Sequence, residues 1–256
     1  MWWTITRPNP TRTSRRASRS RLVRFVCLAL IGVSAFGDWN PEMERLLNAI
    51  RSDARNTEPY TGQAEISAPV MDALRRVPRE QFVPDQASHL AYQNHPLPIG
   101  HGQTISQPFI VALMTDLLDV DPKHRILEIG TGSGYQAAVL AELVSEVYSI
   151  EIIEELAASA TTLLKQLDYT NVHVKVGDGW HGWPEQAPFD GIIVTAVAEE
   201  IPPKLVEQLA PGGRLVLPLG IPGSGQILTL VEKQADDSIV QRDVLPVQFV
   251  PLTGDH

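Results

Sequence analysis

The feature that most limits how this chain can fold is a short apolar run, Arg125-Ile-Leu-Glu-Ile129, that passes directly into Gly130-Thr-Gly-Ser-Gly134 and then into a helical pattern over Ala137–Val144. Three glycines at such a junction let the backbone turn sharply and leave no Cβ between it and a ligand. The first amides of the following helix then face that ligand. Open parallel sheets bind ligands at this kind of strand-to-helix crossover, beyond the carboxyl ends of their strands.

The sequence downstream keeps the same rhythm. Val147–Ile150 reads as a second strand, Ile153–Leu167 as a helix and Val172–Val176 as a third strand. Phe189–Thr195 is almost continuously apolar, as a parallel strand buried on both faces must be. Pro203–Leu209 gives a helix ended by Pro211-Gly-Gly213, and Arg214–Leu219, Ile227–Val231 and Val244–Val250 follow without intervening helices. The expected fold is therefore α/β: a doubly wound, mostly parallel sheet of seven strands, Rossmann-like, with helices on both faces and antiparallel pairing at its C-terminal end. Upstream, Met43, Leu46, Leu47 and Ile50 mark an amphipathic helix over Pro41–Arg55, and Ala68–Val77 a second helix stopped by Pro78. The proline- and histidine-rich stretch from Pro84 to Gln107 reads as one long loop, and loops of that length are often functional.

Several chemistries can be set aside. A single cysteine, Cys27, allows no internal disulfide and no cysteine-built metal cage. The seven histidines lack ligand spacing, so no metal site is expected. Residues 1–37 carry seven arginines and no acid, which leaves 14 Lys+Arg against 30 Asp+Glu elsewhere, a balance of −16. So acidic a body repels phosphate backbones, and nucleic acid is not expected as a partner.

The loop does not fit the dinucleotide fingerprint from Gly130, where Tyr135 takes the last position, although the register starting at Gly132 survives formally through Gly134 and Ala137. Without any shift it fits E-x-G-x-G-x-G, the form found in S-adenosyl-L-methionine-dependent methyltransferases. Glu128, Gly130, Thr131, Gly132 and Gly134 are thus candidate cofactor residues, with Glu128 equally able simply to hold the loop. Glu151 ends the second strand, where an acid accepts from both ribose hydroxyls and repels a 2′-phosphate; its plainer reading is a surface acid. Asp178 and Gly179, in Gly177-Asp-Gly179, would accept from an adenine amine or merely form a β-turn. Together these acids make a field suited to a sulfonium cation.

Val77-Pro-Arg-Glu-Gln-Phe-Val-Pro84, Pro96-Leu-Pro-Ile-Gly100, Gly102-Gln-Thr-Ile-Ser-Gln-Pro108, Leu127–Tyr135, Gly177-Asp-Gly179 and Val250-Pro-Leu-Thr253 together resemble the protein-L-isoaspartate O-methyltransferases. The resemblance runs from about residue 43 to 254, and the Gly102–Pro108 block is its most specific part. It implies methyl transfer from S-adenosyl-L-methionine to the free carboxylate of L-isoaspartyl residues, and less readily of D-aspartyl residues, in damaged proteins and peptides. It also implies Ser106 as the active-site residue, with Gln103, Thr104 and Ile105 over the cofactor and Thr253 near it. From position alone, Ser106 is also a candidate N-cap for the helix that begins near Pro108. Trp180 reads as packing rather than adenine stacking, and His101 as a loop hydrogen-bonding residue.

An isoaspartyl carboxylate is already ionised at neutral pH, so no general base is needed, and the lack of a Ser–His–Asp or paired-carboxylate signature is consistent with that. The alternatives are a methyltransferase with another acceptor, a nicotinamide-dependent oxidoreductase, and a protein-binding module without activity.

Residues 1–40 form a leader: the arginines, then the uncharged stretch Phe25–Phe36, too short to span a bilayer. It reads as a secretory signal or as an extension upstream of a start at Met43. The cytosolic origin of the cofactor favours a cytoplasmic enzyme. The remaining chain, 41–256, is expected to be one methyltransferase domain with a substrate-side segment over 41–124, monomeric and without stable membrane association.

Overall fold

A computed structural model describes residues 40–255, and the expectations for the leader lie outside these. The chain enters through α1 (Pro41–Thr61), whose first amides are capped by the Asn40 side chain at 3.0 Å (Glu42) and 3.2 Å (Met43). The helix runs past the expected Arg55, accommodates Pro59 in its last turn and stops at Gly62, which takes the left-handed conformation that glycine enters at no steric cost. α2 (Ala68–Arg76) ends at Val77, before Pro78.

Residues 84–107, expected as one loop, are more ordered than that. Two 3-10 turns, Arg79–Phe82 and Asp85–Leu90, lead into an antiparallel hairpin of β1 (Leu97–Gly100) and β2 (Gln103–Ile105), with Leu97 opposite Ile105. Pro98 sits within β1 opposite Thr104, and the tip is formed by Gly100, His101 and Gly102, all with positive φ; strands of three or four residues leave too little alternation to read. Then α3 (Pro108–Leu117) crosses towards the sheet.

Next come β3 (Arg125–Ile129), α4 (Tyr135–Ala141), β4 (Glu146–Glu151), α5 (Glu154–Gln166), β5 (Val172–Val176), β6 (Phe189–Val194), α6 (Pro203–Gln208), β7 (Leu209–Ile221), β8 (Ser224–Lys233) and β9 (Ile239–Val247). The seven-stranded sheet has the order β5-β4-β3-β6-β7-β8-β9. β5 through β7 are parallel, and β8 and β9 join antiparallel. β9 begins earlier than expected, pairing Ile239 with Lys233, and ends at Val247. Its first half is an exposed edge with no apolar alternation to announce it.

Alternate residues of each strand supply two cores. Ile126, Val147, Ile193 and Val216 face α1 to α5, whereas Leu127, Ile129, Ile192, Val194 and Leu215 face Leu205 of α6 and its surroundings. The second face is covered more thinly, because the β5-to-β6 crossover, rich in glycine and proline, forms only 3-10 turns at Gly179–His181 and Pro184–Gln186. The strand order reverses beside β3, which opens a crevice at the carboxyl ends of β3, β4 and β6.

Candidate active site

The glycine loop sits in that crevice, pinned from both sides. Gly130 N–H donates to the Ile150 carbonyl at 2.8 Å, and Thr195 N–H to the Ile129 carbonyl at 2.9 Å. The Thr195 hydroxyl donates to the carbonyls of Ile129 (3.1 Å) and Gly130 (2.8 Å). Gly130, at φ +94°, has the Thr195 hydroxyl where a side chain would begin, and Gly179 likewise abuts Ile129. Both glycines are therefore required by space, and Gly130 by conformation as well.

Glu151 is 5% exposed and closes the loop from the second strand. One of its oxygens accepts from Gly132 N–H at 2.8 Å and the other from Ile153 N–H at 3.0 Å. Glu128 lies one layer deeper, fully buried. Ser149 donates to one of its oxygens and in turn accepts from the Thr131 hydroxyl at 2.5 Å. The other Glu128 oxygen has no partner. Burial pushes the Glu128 carboxyl up to about 8, the Ser149 bond opposes that rise and the charge of Glu151 adds to it.

The crevice holds about 760 Å³ of empty space, its open mouth included, and its lining contains Gln103, Thr104, Ile105, Ser106, Gly130, Thr131, Gly132, Glu151, Gly179 and Thr253 among the residues singled out from sequence. Glu128, Gly134 and Asp178 are not on that lining. Glu128 is beneath the loop, and Gly134 packs against Ala160 and Leu164 of α5. Asp178 caps the turn that follows it, accepting from Trp180 N–H at 2.9 Å, and its second oxygen accepts from Asp255 N–H at 3.2 Å. The C-terminal segment reaches it by pairing with the loop after β6, Val197 N–H to the Val250 carbonyl and Leu252 N–H to the Val197 carbonyl, both at 2.8 Å.

Ser106 is not the N-cap of α3. That place belongs to Gln107, whose side chain makes no cap bond, and the free amide of Phe109 is taken by Asn94 Oδ1 at 2.9 Å. Asn94 in turn donates to Asp53 of α1 at 2.8 Å. Ser106 is thereby released from capping at the rim between the crevice and a second cavity. The two share Thr104, Ser106, Thr195 and Val250, and the second extends past Phe109 and Phe249 to Asp53 and Thr57.

Sequence reasoning missed Thr195, Tyr135 and Ile152 as lining residues, whereas the Val250-Pro-Leu-Thr253 segment it singled out does wall the crevice. Only Thr195 carried a signal, as the one hydroxyl at the end of an otherwise apolar strand. Among the described residues no cluster of His, Cys, Asp and Glu is arranged to hold a metal ion.

The site is built to receive a polar ligand with an aliphatic or aromatic body. Backbone amides and the Glu151 carboxylate line the β3–β4 side, and Ile129, Ile150 and Ile152 the floor and flank. Cradling glycines and an acceptor acid at the end of β4 match what a nucleoside with free ribose hydroxyls requires.

Residues 61–256 match the family described as Protein-L-isoaspartate(D-aspartate) O-methyltransferase (PCMT). Protein-L-isoaspartate O-methyltransferase 2 of Syntrophobacter fumaroxidans is 51% identical over 246 residues, covering 93% of this chain and 100% of the relative. Its namesake from a Polaromonas species is 54% identical over 82% of this chain and all of the relative. A solved protein-L-isoaspartate O-methyltransferase superimposes with a TM-score of 0.72 at 28% identity, over 83% of this chain and 66% of that one. A Plasmodium falciparum protein of the same description, crystallised with S-adenosyl-L-homocysteine, shares the fold at a TM-score of 0.69 and 24% identity, over 84% and 99% of the two chains.

Proposed function

The chain belongs to the protein-L-isoaspartate(D-aspartate) O-methyltransferase family, and from that premise we propose the division of labour among its residues. The protein is a transferase that uses S-adenosyl-L-methionine to methylate the free carboxylate of isomerised aspartyl residues. When bound, that cofactor supplies an electrophilic methyl group on a sulfonium.

Gly130, Thr131 and Gly132 let the backbone approach the donor. Glu151 keeps one lone pair on each oxygen beyond its two amide bonds, enough to accept from paired ribose hydroxyls. Gly179 with Asp178 borders the adenine side, and Gln103, Thr104, Ile105 and Thr253 wall the crevice from above. Glu128 acts from below, stiffening the loop through Ser149 and Thr131.

The observation that carries the acceptor side is the position of Ser106 on the rim shared by crevice and second cavity, its hydroxyl not engaged in capping. We assign that hydroxyl to donate to one carboxylate oxygen and turn the other towards the donor. The acceptor is already an anion, so no proton has to be removed; alignment and exclusion of water do the work. The second cavity receives the flanking peptide, its apolar walls at Phe109, Ile110 and Phe249 replacing water. Segment 41–124 is the substrate side, since Asp53, Thr57 and Pro96 line that cavity.

A monomer acting in the cytoplasm, without nucleic-acid or membrane partners, agrees with the acidic body and with the cytosolic cofactor. No helix among the described residues is long and apolar enough to cross a membrane. The deciding assay is transfer of labelled methyl to an isoaspartyl peptide and to its normal aspartyl twin. The expected product is a base-labile ester on the first alone, and equal labelling of both would overturn the assignment.

A further inference from the structure

Arg79 is fully buried, although arginine is among the side chains least often found so. Its Nε donates to the Ala91 carbonyl at 2.9 Å and its Nη2 to the Ser106 carbonyl at 2.8 Å. Its Nη1 has no hydrogen-bond partner. The guanidinium lies over the Tyr135 ring, 4.7 Å from the centroid, and Tyr135 is itself buried and lines the donor crevice.

Ala91 and Ser106 bracket the segment that carries the β1–β2 hairpin. That hairpin overhangs the glycine loop, with Ile99 Cδ1 only 3.4 Å from where a Cβ on Gly132 would stand. One planar fork thus holds both ends of the overhanging segment while its face rests on a residue of the crevice. A burial this costly could be removed by an apolar residue of similar length, often with a gain in stability, so packing does not account for it.

We propose that Arg79 is the positioning residue of the acceptor loop: it staples the two ends of segment 91–106, sets Ser106 against the donor crevice, and through its uncompensated positive charge favours an anionic acceptor there. A guanidinium suits both tasks, because its donors are fixed in direction and its charge is permanent. The proposal rests on the methyl-transfer reading above and deepens it.

The test compares Arg79→Lys, which keeps the charge without the fork, with Arg79→Met, which keeps the volume alone. Three quantities are measured: kcat and peptide KM with an isoaspartyl peptide, calorimetric affinity for S-adenosyl-L-homocysteine, and hydrogen exchange across residues 91–106. Both variants are expected to lose about tenfold or more in kcat, the usual range for a lost charge-assisted bond. Peptide KM is expected to stay within about threefold for Lys and to rise roughly tenfold for Met, as befits a lost charge. Affinity for S-adenosyl-L-homocysteine should hold within about twofold in both, since no donor-lining group is removed, while exchange of segment 91–106 accelerates.

Equal KM changes in the two variants, or loss of nucleoside affinity in step with rate, would overturn the proposal and leave Arg79 a structural residue. If neither variant folds, the wild type decides. Slow exchange at both ends of 91–106 with a fast tip at 100–102 supports the staple, and uniformly fast exchange refutes it. A wild-type protein that binds S-adenosyl-L-homocysteine but methylates no isoaspartyl peptide would count against the functional reading, not against the staple.

Discussion

At the scale of single residues, two carboxylates around one glycine loop, on neighbouring strands, have opposite duties, and burial separates them. Glu151 reaches the crevice with each oxygen on a backbone amide. Glu128, with one oxygen unpartnered, is held near neutrality by desolvation. The consequence for stability has a definite sign. Below pH 4.5 folded and unfolded chains both hold this proton; between there and about 8 only the folded chain keeps it, so stability falls as pH rises. Glu128→Gln removes that slope. Thermal melts from pH 5 to 8 should therefore show the variant gaining on the wild type steadily, and a constant difference would mean the carboxyl titrates normally. Ser106→Ala tests the other assignment. A hydroxyl given to a charged acceptor is worth about 1.5–3 kcal/mol, so kcat should fall about 10- to 100-fold. The melting temperature and nucleoside affinity should not change, because the helix cap belongs to other residues.

At the scale of elements, the decisive connection is the one from α1 to α3 through Asp53, Asn94 and the amide of Phe109. It replaces a local cap by a distant one, which is why position alone suggested Ser106 for that duty. Asn94→Ala should cost about 1 kcal/mol as a lost cap, roughly 2–4 °C in melting temperature for a domain of this size. It should also lower kcat severalfold, since α3 starts two residues after Ser106; a melt shift without a rate change would show that the helix end does not set the serine. The elements that could be read from sequence were those with many residues of one period: α1 from Met43 to Ile50, β3 with its glycines, and β6 as an almost continuously apolar strand. The hairpin over 97–105, the first half of β9 and the Arg79 fork had no such period. Two short strands and an exposed edge owe their shape to partners far away in the chain, and a buried arginine looks in sequence like any surface arginine.

At the scale of the whole molecule, the doubly wound, mostly parallel sheet could be read from alternation and glycine placement, whereas the order of its strands comes from the structure alone and the thin cover of the second face follows from the missing helix between β5 and β6. Ligand binding to the crevice joins β3, β4, β6 and the C-terminal segment, so it should stabilise the fold as a unit. At 100-fold excess over Kd the linkage is about 2.7 kcal/mol, or about 5–10 °C in melting temperature, and a calorimetric scan with S-adenosyl-L-homocysteine reads it directly. No shift at saturating nucleoside would contradict the crevice as its site. The two cavities touch only along a rim that includes Ser106 and Thr195. Each chamber has its own walls, so the spent nucleoside and the esterified chain need not queue behind one another on departure. A single compound that spans the rim, an adenosyl head tethered to a short isoaspartyl peptide, would gain from both chambers at once and make a natural inhibitor scaffold.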